Sequence, residues 1–338
     1  TAEQVYIALG EPDVITVERE HVDIELLRGL RQHCAVYPDP SAIESCGNRI
    51  LEKQLLCTLD LPTAPHRIAH TTLQVADAAD VLGLPIVLKA AAAGYDGKQQ
   101  WHIHNREQLR AFCCENQAGN WLVESKIEFE REISILAARS ANGDVALYPP
   151  TENRHSDGIL LTSIAPAGPV PPDLLGEGFD CIRSLLEALD YVGILAVEFF
   201  VTEQGLLINE LAPRVHNSGH WTLGSEATSQ FENHLRAILG MSLGSTRISS
   251  YNGIINILGH YDRDHALRAL SGDSTLTDYN KSFAPLRKQG HINVSRSSRE
   301  DTLEELGRLQ HCLYAESGGG LLRPTQGNRN NLGTPTGG

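Results

Sequence analysis

The 338 residues predict a mixed α/β (α+β) fold: a parallel strand-helix-strand layer at the start, followed by largely antiparallel strands interleaved with helices. Three observations carry this prediction. Residues 13–17 (D-V-I-T-V) and 36–38 read as short strands flanking a helical stretch at 18–30, the order of a parallel layer. Two apolar runs, 192–201 and 206–211, are joined by Thr202, Glu203, Gln204 and Gly205, a hairpin-length loop with Gly at its end. The remainder alternates strand patterns with helix patterns of 8–19 residues. No apolar run approaches the roughly 18 residues of a membrane span, and no basic n-region with an apolar h-region opens the chain.

The elements follow in order. Residues 41–59 have a helical pattern, broken by Pro62 and Pro65. A short helix at 75–82 is closed by Gly83 and Pro85, and a strand at 86–89 ends on Lys89. The loop Gly94-Tyr95-Asp96-Gly97-Lys98 separates it from a strand at 100–103. A helix at 105–113, a strand at 121–124 and a half-buried strand at 130–138 come next. Asn142-Gly143 predicts a hairpin turn into a strand at 145–148, residues 153–158 read as a polar loop, and 174–189 as an amphipathic helix. After the hairpin come a helix at 229–239, a strand at 253–258, the end of a short helix at 267–271, a strand at 289–294 and a helix at 299–313. From 316 onward the chain is rich in Gly, Asn, Pro and Thr without apolar periodicity, the composition of a disordered tail.

A net charge of −14 argues against non-specific nucleic-acid binding, which rests on a basic surface. Seven scattered cysteines with no C-x-x-C pair fit reduced thiols in a cytoplasmic compartment.

The chemistry concentrates at 206–221, where an apolar strand runs into Asn209-Glu210 and then a loop holding Arg214, His216, Asn217, Ser218 and His220. Pairing with 192–201 would bring Glu198 beside Glu210. Two carboxylates and an amide oxygen make an all-oxygen set suited to Mg²⁺ and phosphates. A lone acid in a strand more often faces solvent, because successive side chains point to opposite faces. The pair, followed by Arg214 and His216, shifts the reading towards a metal-phosphate site. The Gly94–Lys98 stretch lies between two strands and so matches neither the Rossmann fingerprint nor the P-loop; an ordinary hairpin is the alternative. Glu124 reads either as a nucleotide contact or a surface acid, and His155 as a phosphate donor or an exposed residue. Lys281, Arg287 and Lys288 make a candidate anion site or a solvated basic loop.

Taken together, the Lys-ending strand, the G-Y-D-G-K loop, the acid-ending strand, E-x-F-F and the run from Asn209 to Thr222 (N-E-L-A-P-R-V-H-N-S-G-H-W-T) resemble the ATP-grasp superfamily. Within it they are most similar to the 5-(carboxyamino)imidazole ribonucleotide synthases. Supporting stretches are 13–20, 49–53, 155–160 and 287–291, so the resemblance spans about 13–294. It implies an ATP-grasp fold divided into an N-terminal α/β unit at 1–45, an ATP-grasp domain at 46–240, a small C-terminal domain at 241–315 and a tail at 316–338. It implies a ligase that carboxylates 5-aminoimidazole ribonucleotide with bicarbonate through carboxyphosphate, using ATP and Mg²⁺, and a cytoplasmic homodimer.

Carried over by position, Arg49, Lys89, the loop residues Gly94, Tyr95, Asp96, Gly97, Lys98, Gln99 and Gln100, then Glu124, Ser125, Lys126, Ile127, Glu132, His155, Asn209 and Glu210 would hold ATP. Glu198 and Glu210 would bind Mg²⁺. Arg214, Lys281 and Arg287 would be catalytic. Glu18, Arg214, His216, Asn217, Ser218, Lys281, Arg287 and Lys288 would meet the substrates. The resemblance also implies a strand and a Gly-x-Gly-Gln-Leu-Gly loop preceding Thr1, and Ala91, Ala93 and Gln99 stand where the family's phosphate loop carries an Arg and more glycines. Two alternatives stay open: an ATP-grasp ligase that uses formate or another carboxylate, and a nucleotide-binding homologue without turnover.

Overall fold

In chain order, the computed structural model contains α1 (Ala2–Ala8), β1 (Val14–Ile15), α2 (Ile24–Leu30), β2 (Ala35–Val36), α3 (Pro40–Gly47), α4 (Arg49–Thr58), β3 (His66–Thr71), α5 (Thr72–Leu82), β4 (Ile86–Ala90), β5 (Gln100–Ile103), α6 (Arg106–Glu115) and β6 (Ala118–Ser125). Then follow β7 (Arg131–Arg139), β8 (Val145–Leu147), β9 (Thr151–Ser156), β10 (Ile159–Ala165), α7 (Pro172–Ala188), β11 (Gly193–Thr202), β12 (Gly205–Ala212), a 3₁₀ helix (Asn217–Gly224) and α8 (Gln230–Ile238). The chain closes with β13 (Tyr251–Leu258), α9 (Arg263–Ala269), β14 (Thr275–Asp278), β15 (Lys288–Arg296) and α10 (Arg299–Tyr314). The described residues are 1–92, 99–156, 158–259 and 261–314. Gly94, Tyr95, Asp96, Gly97 and Lys98, and the predicted tail at 316–338, lie outside them.

Among the described residues three sheets form. β1 and β2 pair in parallel, as the strand-helix-strand pattern predicts. A four-stranded antiparallel sheet runs β3-β6-β4-β5, with α5 and α6 packed on it around Val75, Ala79, Leu109 and Phe112. A nine-stranded sheet runs β12-β11-β7-β9-β10-β13-β15-β14, with β8 also on β7. Strands of the 251–296 region thus continue the sheet begun by the hairpin, through β10 and β13. The strongly amphipathic α7 buries Ile182, Leu185 and Leu186 against Ile135, Leu195, Val197 and Phe199 on one face of this sheet. The other face holds Ile194, Ala196, Leu136 and Trp221.

Four local predictions need correction. The helix predicted from 18 begins at Ile24, because the Asp23 side chain accepts from the Leu26 N–H at 3.0 Å and caps it there. The helix predicted over 41–59 is two helices. Asn48 is extended (φ −124°, ψ 112°), and its Oδ1 caps α4 by accepting from Ile50 and Leu51. Of residues 13–17, expected as a strand, only Val14 and Ile15 form one, and both are half-buried. The expected polar loop at 153–158 is mostly the strand β9, whose alternation is hidden because its inward residues are polar. Thr151 accepts from the Trp221 indole at 2.9 Å and Asn153 from Ser163 at 2.8 Å, so burying them leaves these groups satisfied. Three strands, β3, β10 and β14, escape sequence reading altogether: β3 and β14 lack apolar alternation, and β10 is buried along its whole length.

Candidate active site

The hairpin β11–β12 places Glu198 directly opposite Glu210, as the two apolar runs predict. The register then shifts: Phe199 faces Ile208, which leaves Asn209 as the extra residue of a β-bulge on β12. Directly opposed residues share a face of the sheet. Ile194 and Ala196, four and two residues before Glu198, belong to the core beneath the 3₁₀ helix, so Glu198 faces inward rather than to solvent. The same face receives Ser134 and Glu132 of β7, opposite Glu198 and Phe200, and Asn153 of β9, opposite Glu132.

These neighbours shift each other's protonation. His155, at the end of β9, bonds the Glu132 carboxylate. Burial opposes its charge, but Glu132, with Glu198 and Glu210 behind it, outweighs burial and lifts His155 to about 9. Burial lifts Glu198 to about 7, reinforced by Glu210 and Glu132 against the pull of His155 and Lys89. His216 Nε2 lies 3.7 Å from Glu198. Burial and the Arg214 charge hold His216 down at about 3, so that contact joins a neutral imidazole to the carboxyl and is not an ion pair.

The loop after β12 is locked from behind. Gln230, fully buried, accepts from the His216 N–H at 2.8 Å and donates to the His216 carbonyl at 2.7 Å. The His216 ring meets Ser218 Oγ at 2.8 Å, and Ser218 accepts from Ser134 Oγ at 2.7 Å. Gly219 allows this packing: a Cβ there would sit 2.3 Å from Leu136 Cδ2. Arg214 forks onto Glu20 through Nε and NH2. Burial would raise the Glu20 carboxyl, and the Arg214 hydrogen bond and charge outweigh it, holding it below its ordinary range.

The four-stranded sheet contributes the cations. Lys89, at the end of β4, lies 2.7 Å from Glu124 Oε2 and 3.4 Å from Asn209 Oδ1. Glu124 is 4% exposed, which removes the surface-acid alternative. Burial raises it, and the lysines Lys89 and Lys53 pull it down further, to about 2. Arg49 NH1 donates to the Ala90 carbonyl at 2.9 Å. Ser125, which ends β6, and Lys126 and Ile127 after it are half-buried, with the N–H groups of Ser125 and Lys126 given to the carbonyls of Pro65 and Pro85. Gln100 pairs with Lys89 across β4 and β5, and the carbonyl of the exposed Gln99 accepts from the Ala90 N–H at 3.0 Å.

At the other end, Lys288 bonds Asn217 Oδ1, and Lys281 and Lys288 lie 4.8 and 5.3 Å from the Tyr279 ring centroid. Tyr279 OH meets His291 at 2.7 Å, and His291 packs edge-on to His220. Asn217, Lys281 and Lys288 therefore converge. Arg287 does not join them: its NH1 turns back onto Ser282. Glu18 is exposed, while its neighbour Glu20 is the one bonded to Arg214.

Sequence reading missed Glu20, Glu52, Lys53, Tyr279 and His291. A signal existed for Glu52 and Lys53, adjacent ionisable residues at inward positions of an otherwise apolar helix face, beside Leu56. Among the described residues no group of three or more His, Cys, Asp or Glu side chains is arranged to hold a metal ion.

The comparisons agree with this geometry. The ATP-grasp domain family matches residues 54–231, and the phosphoribosylaminoimidazole carboxylase C-terminal domain matches 253–305. The chain is 39% identical over 313 residues to the N5-carboxyaminoimidazole ribonucleotide synthase of Vibrio cholerae, covering 90% of this chain and 82% of that protein. The N5-carboxyaminoimidazole ribonucleotide synthetase structure from Thermus thermophilus superposes with a TM-score of 0.84 at 36% identity, over 92% of this chain and 85% of that one. The synthase from Aspergillus clavatus, solved with ADP and 5-aminoimidazole ribonucleotide, superposes with a TM-score of 0.84 at 27% identity, over 92% and 84%. With a paired-acid hairpin and flanking lysine in the expected places, and relatives matched along nearly its whole length, the chain belongs to the N5-carboxyaminoimidazole ribonucleotide synthase family of ATP-grasp ligases.

Proposed function

We propose that the chain joins the amine of 5-aminoimidazole ribonucleotide to bicarbonate at the expense of ATP, yielding the carbamate, ADP and phosphate, a step of purine biosynthesis. The observation that carries this reading is the shared face on which Glu198, Glu210 and Asn209 meet Lys89, His155 and His216. Phosphoryl transfer needs positioning and charge neutralisation more than covalent help, and this face supplies both.

ATP lies between the two larger sheets. Lys89 and Arg49 hold its phosphates, residues 94–100 contribute to ATP binding as the family resemblance implies, and Glu124, Ser125, Lys126 and Ile127 border the nucleoside. Glu124 acts there through the lysines it binds, since both its oxygens face them. His155, kept protonated by Glu132, presents a cation to the phosphates. Glu198 and Glu210 would hold Mg²⁺, with Asn209 beside them. The donor set is all oxygen, and the lifted Glu198 marks a carboxylate cluster that a dication would relieve. Bound there, Mg²⁺ would neutralise phosphate charge.

A bicarbonate oxygen attacks the γ-phosphorus and ADP leaves. Arg214, aligned by Glu20, steadies the resulting carboxyphosphate. The ribonucleotide amine then attacks its carboxyl carbon and phosphate departs. His216, Asn217 and Ser218 line that side, and Lys281 and Lys288, with Arg287 nearby, face the ribonucleotide phosphate; Glu18 sits towards the ribose. Neutral His216 is placed to take the amine proton. The bicarbonate-specific reading draws on the acceptor loop 216–222, and formate is the competing acid.

We retain the division into 1–45, 46–240, 241–315 and a tail at 316–338, in line with the family matches at 54–231 and 253–305. A cytoplasmic site accords with seven free thiols, and no helix among the described residues is long and apolar enough to cross a membrane. A homodimer accords with Leu235, Leu239 and Met241, all about half exposed at the end of α8. The deciding experiment is phosphate release from ATP with bicarbonate or formate, with and without 5-aminoimidazole ribonucleotide. Bicarbonate-dependent release stimulated by the ribonucleotide is expected. Its absence, or a preference for formate, overturns the assignment.

A further inference from the structure

β12 is an edge strand, with β11 on one side only. An edge leaves a row of backbone N–H and C=O groups unpaired. Here that row is taken up by the segment 52–63. The Ile208 N–H goes to the Pro62 carbonyl at 2.8 Å, and Thr63 Oγ1 donates to the Ile208 carbonyl at 3.0 Å. Lys53 Nζ lies 3.5 Å from the Ile208 carbonyl and 3.4 Å from that of Asn209. Glu52 Oε2 accepts from the Leu211 N–H at 2.8 Å. The contacts therefore begin one residue before the bulged Asn209 and end one residue after Glu210.

Glu52 and Lys53 are 2% and 1% exposed. Apolar residues of similar volume would fill that space without the desolvation cost, so stability alone does not account for two adjacent buried ionisable groups. Lys53 also closes a ring. Its Nζ donates to Thr63 Oγ1 at 2.6 Å and lies 3.0 Å from Glu124; Glu124 holds Lys89, and Lys89 turns to the Asn209 side chain. The ring ties α4, the four-stranded sheet and the edge strand at a single bulge.

We propose that Glu52 and Lys53 are positioning residues: by gripping the backbone on both sides of Asn209 and Glu210, they set where these two oxygen donors stand. A bulge re-aims side chains but is locally unpaired, so its direction must be held from outside. This inference rests on the assignment of Asn209 and Glu210 to the Mg²⁺-nucleotide site.

The test compares the full chain with Lys53→Met and Thr63→Val. Mg²⁺·ADP binding is measured by titration calorimetry, phosphate release by steady-state kinetics, and melting without ligand. In Lys53→Met, Mg²⁺·ADP affinity and kcat are expected to fall roughly 10- to 100-fold, the usual effect of removing an outer support of a metal site, with KM for the ribonucleotide kept within about twofold. Thr63→Val, nearly isosteric, is expected to shift binding the same way by less, with a modest fall in melting temperature for the lost hydroxyl bonds. A folded Lys53→Met with the affinity and kcat of the unmodified chain overturns the proposal. Should Lys53→Met not fold, Thr63→Val that binds Mg²⁺·ADP normally overturns it, because the residues would then serve folding alone. An unmodified chain with no ribonucleotide-stimulated release overturns the functional reading and this inference with it; an active chain with unaffected variants overturns only the inference.

Discussion

Replacing Glu124 by Gln isolates the charge that holds two lysines inside the molecule. Lys53 is 1% exposed and Lys89 side-chain exposure is 13%, and Glu124 lies 3.0 and 2.7 Å from them. Gln keeps the shape but offers one of the lysines an NH₂ group, a donor facing a cation. Two routes give the magnitude. Removing one partner of a buried pair costs about 3–5 kcal/mol. Moving Glu124 from its ordinary 4.5 to about 2 corresponds to roughly 3 kcal/mol of interaction favouring the charged form. Both predict a loss of about 3 kcal/mol at pH 7, or a melting temperature lower by about 6 °C or more for a chain of this size. The pH dependence follows from the sign of the shift. A carboxyl depressed in the folded state stabilises fully above its unfolded value and loses that contribution as pH falls towards the folded one. The gap between the unmodified chain and Glu124→Gln should hold steady from pH 5 to 8 and narrow below about 4.5. Scanning calorimetry across that range reads it directly. A melting change under about 1 °C at pH 7, or a gap that widens on acidification, refutes the reasoning that Glu124 carries the charge balance of this cluster.

Glu210→Gln should abolish Mg²⁺-ATP turnover in a phosphate-release assay yet melt within about 1 °C of the unmodified chain, because Glu210 is exposed; retained turnover would place the metal elsewhere. His155 is lifted from 6.5 to about 9, so its pairing with Glu132 stabilises fully below pH 6.5, by about 3 kcal/mol, and that contribution is lost as pH rises through 9. Denaturation of His155→Gln at pH 6 and pH 10 should show a large and then a vanishing deficit, and a ring titrating near 6.5 by NMR would contradict it. Lys288→Ala should raise KM for the ribonucleotide about tenfold or more while leaving KM for ATP unchanged, as expected for loss of one charge-assisted contact; a rise in the ATP value instead would move Lys288 to the nucleotide side.

Much of this site is written in short-range pattern. The strand-loop-strand at 192–212 is legible because apolar runs bounded by a Gly-ended loop pair antiparallel, and antiparallel pairing makes Glu198 and Glu210 neighbours by counting alone. The run from Asn209 to Thr222 is long enough to identify a family before any fold is seen. Lys89 at a strand end and the Asn142-Gly143 turn are legible for similar local reasons. β9 is illegible because its buried residues are polar and become tolerable inside only when Trp221, Ser134 and Ser163 arrive to satisfy them.

By itself, then, the sequence determined the family, most of the order of elements, and the opposition of two acids on one hairpin, all set by contacts a few residues apart. The tertiary structure alone decided which ionisable groups face one another. It chose Glu20 rather than Glu18 for Arg214, buried Glu124 between Lys53 and Lys89, and turned Arg287 away from Lys281 and Lys288. Those pairings join residues from 5 to nearly 200 positions apart, and their strength depends on burial, which periodicity along one segment does not encode.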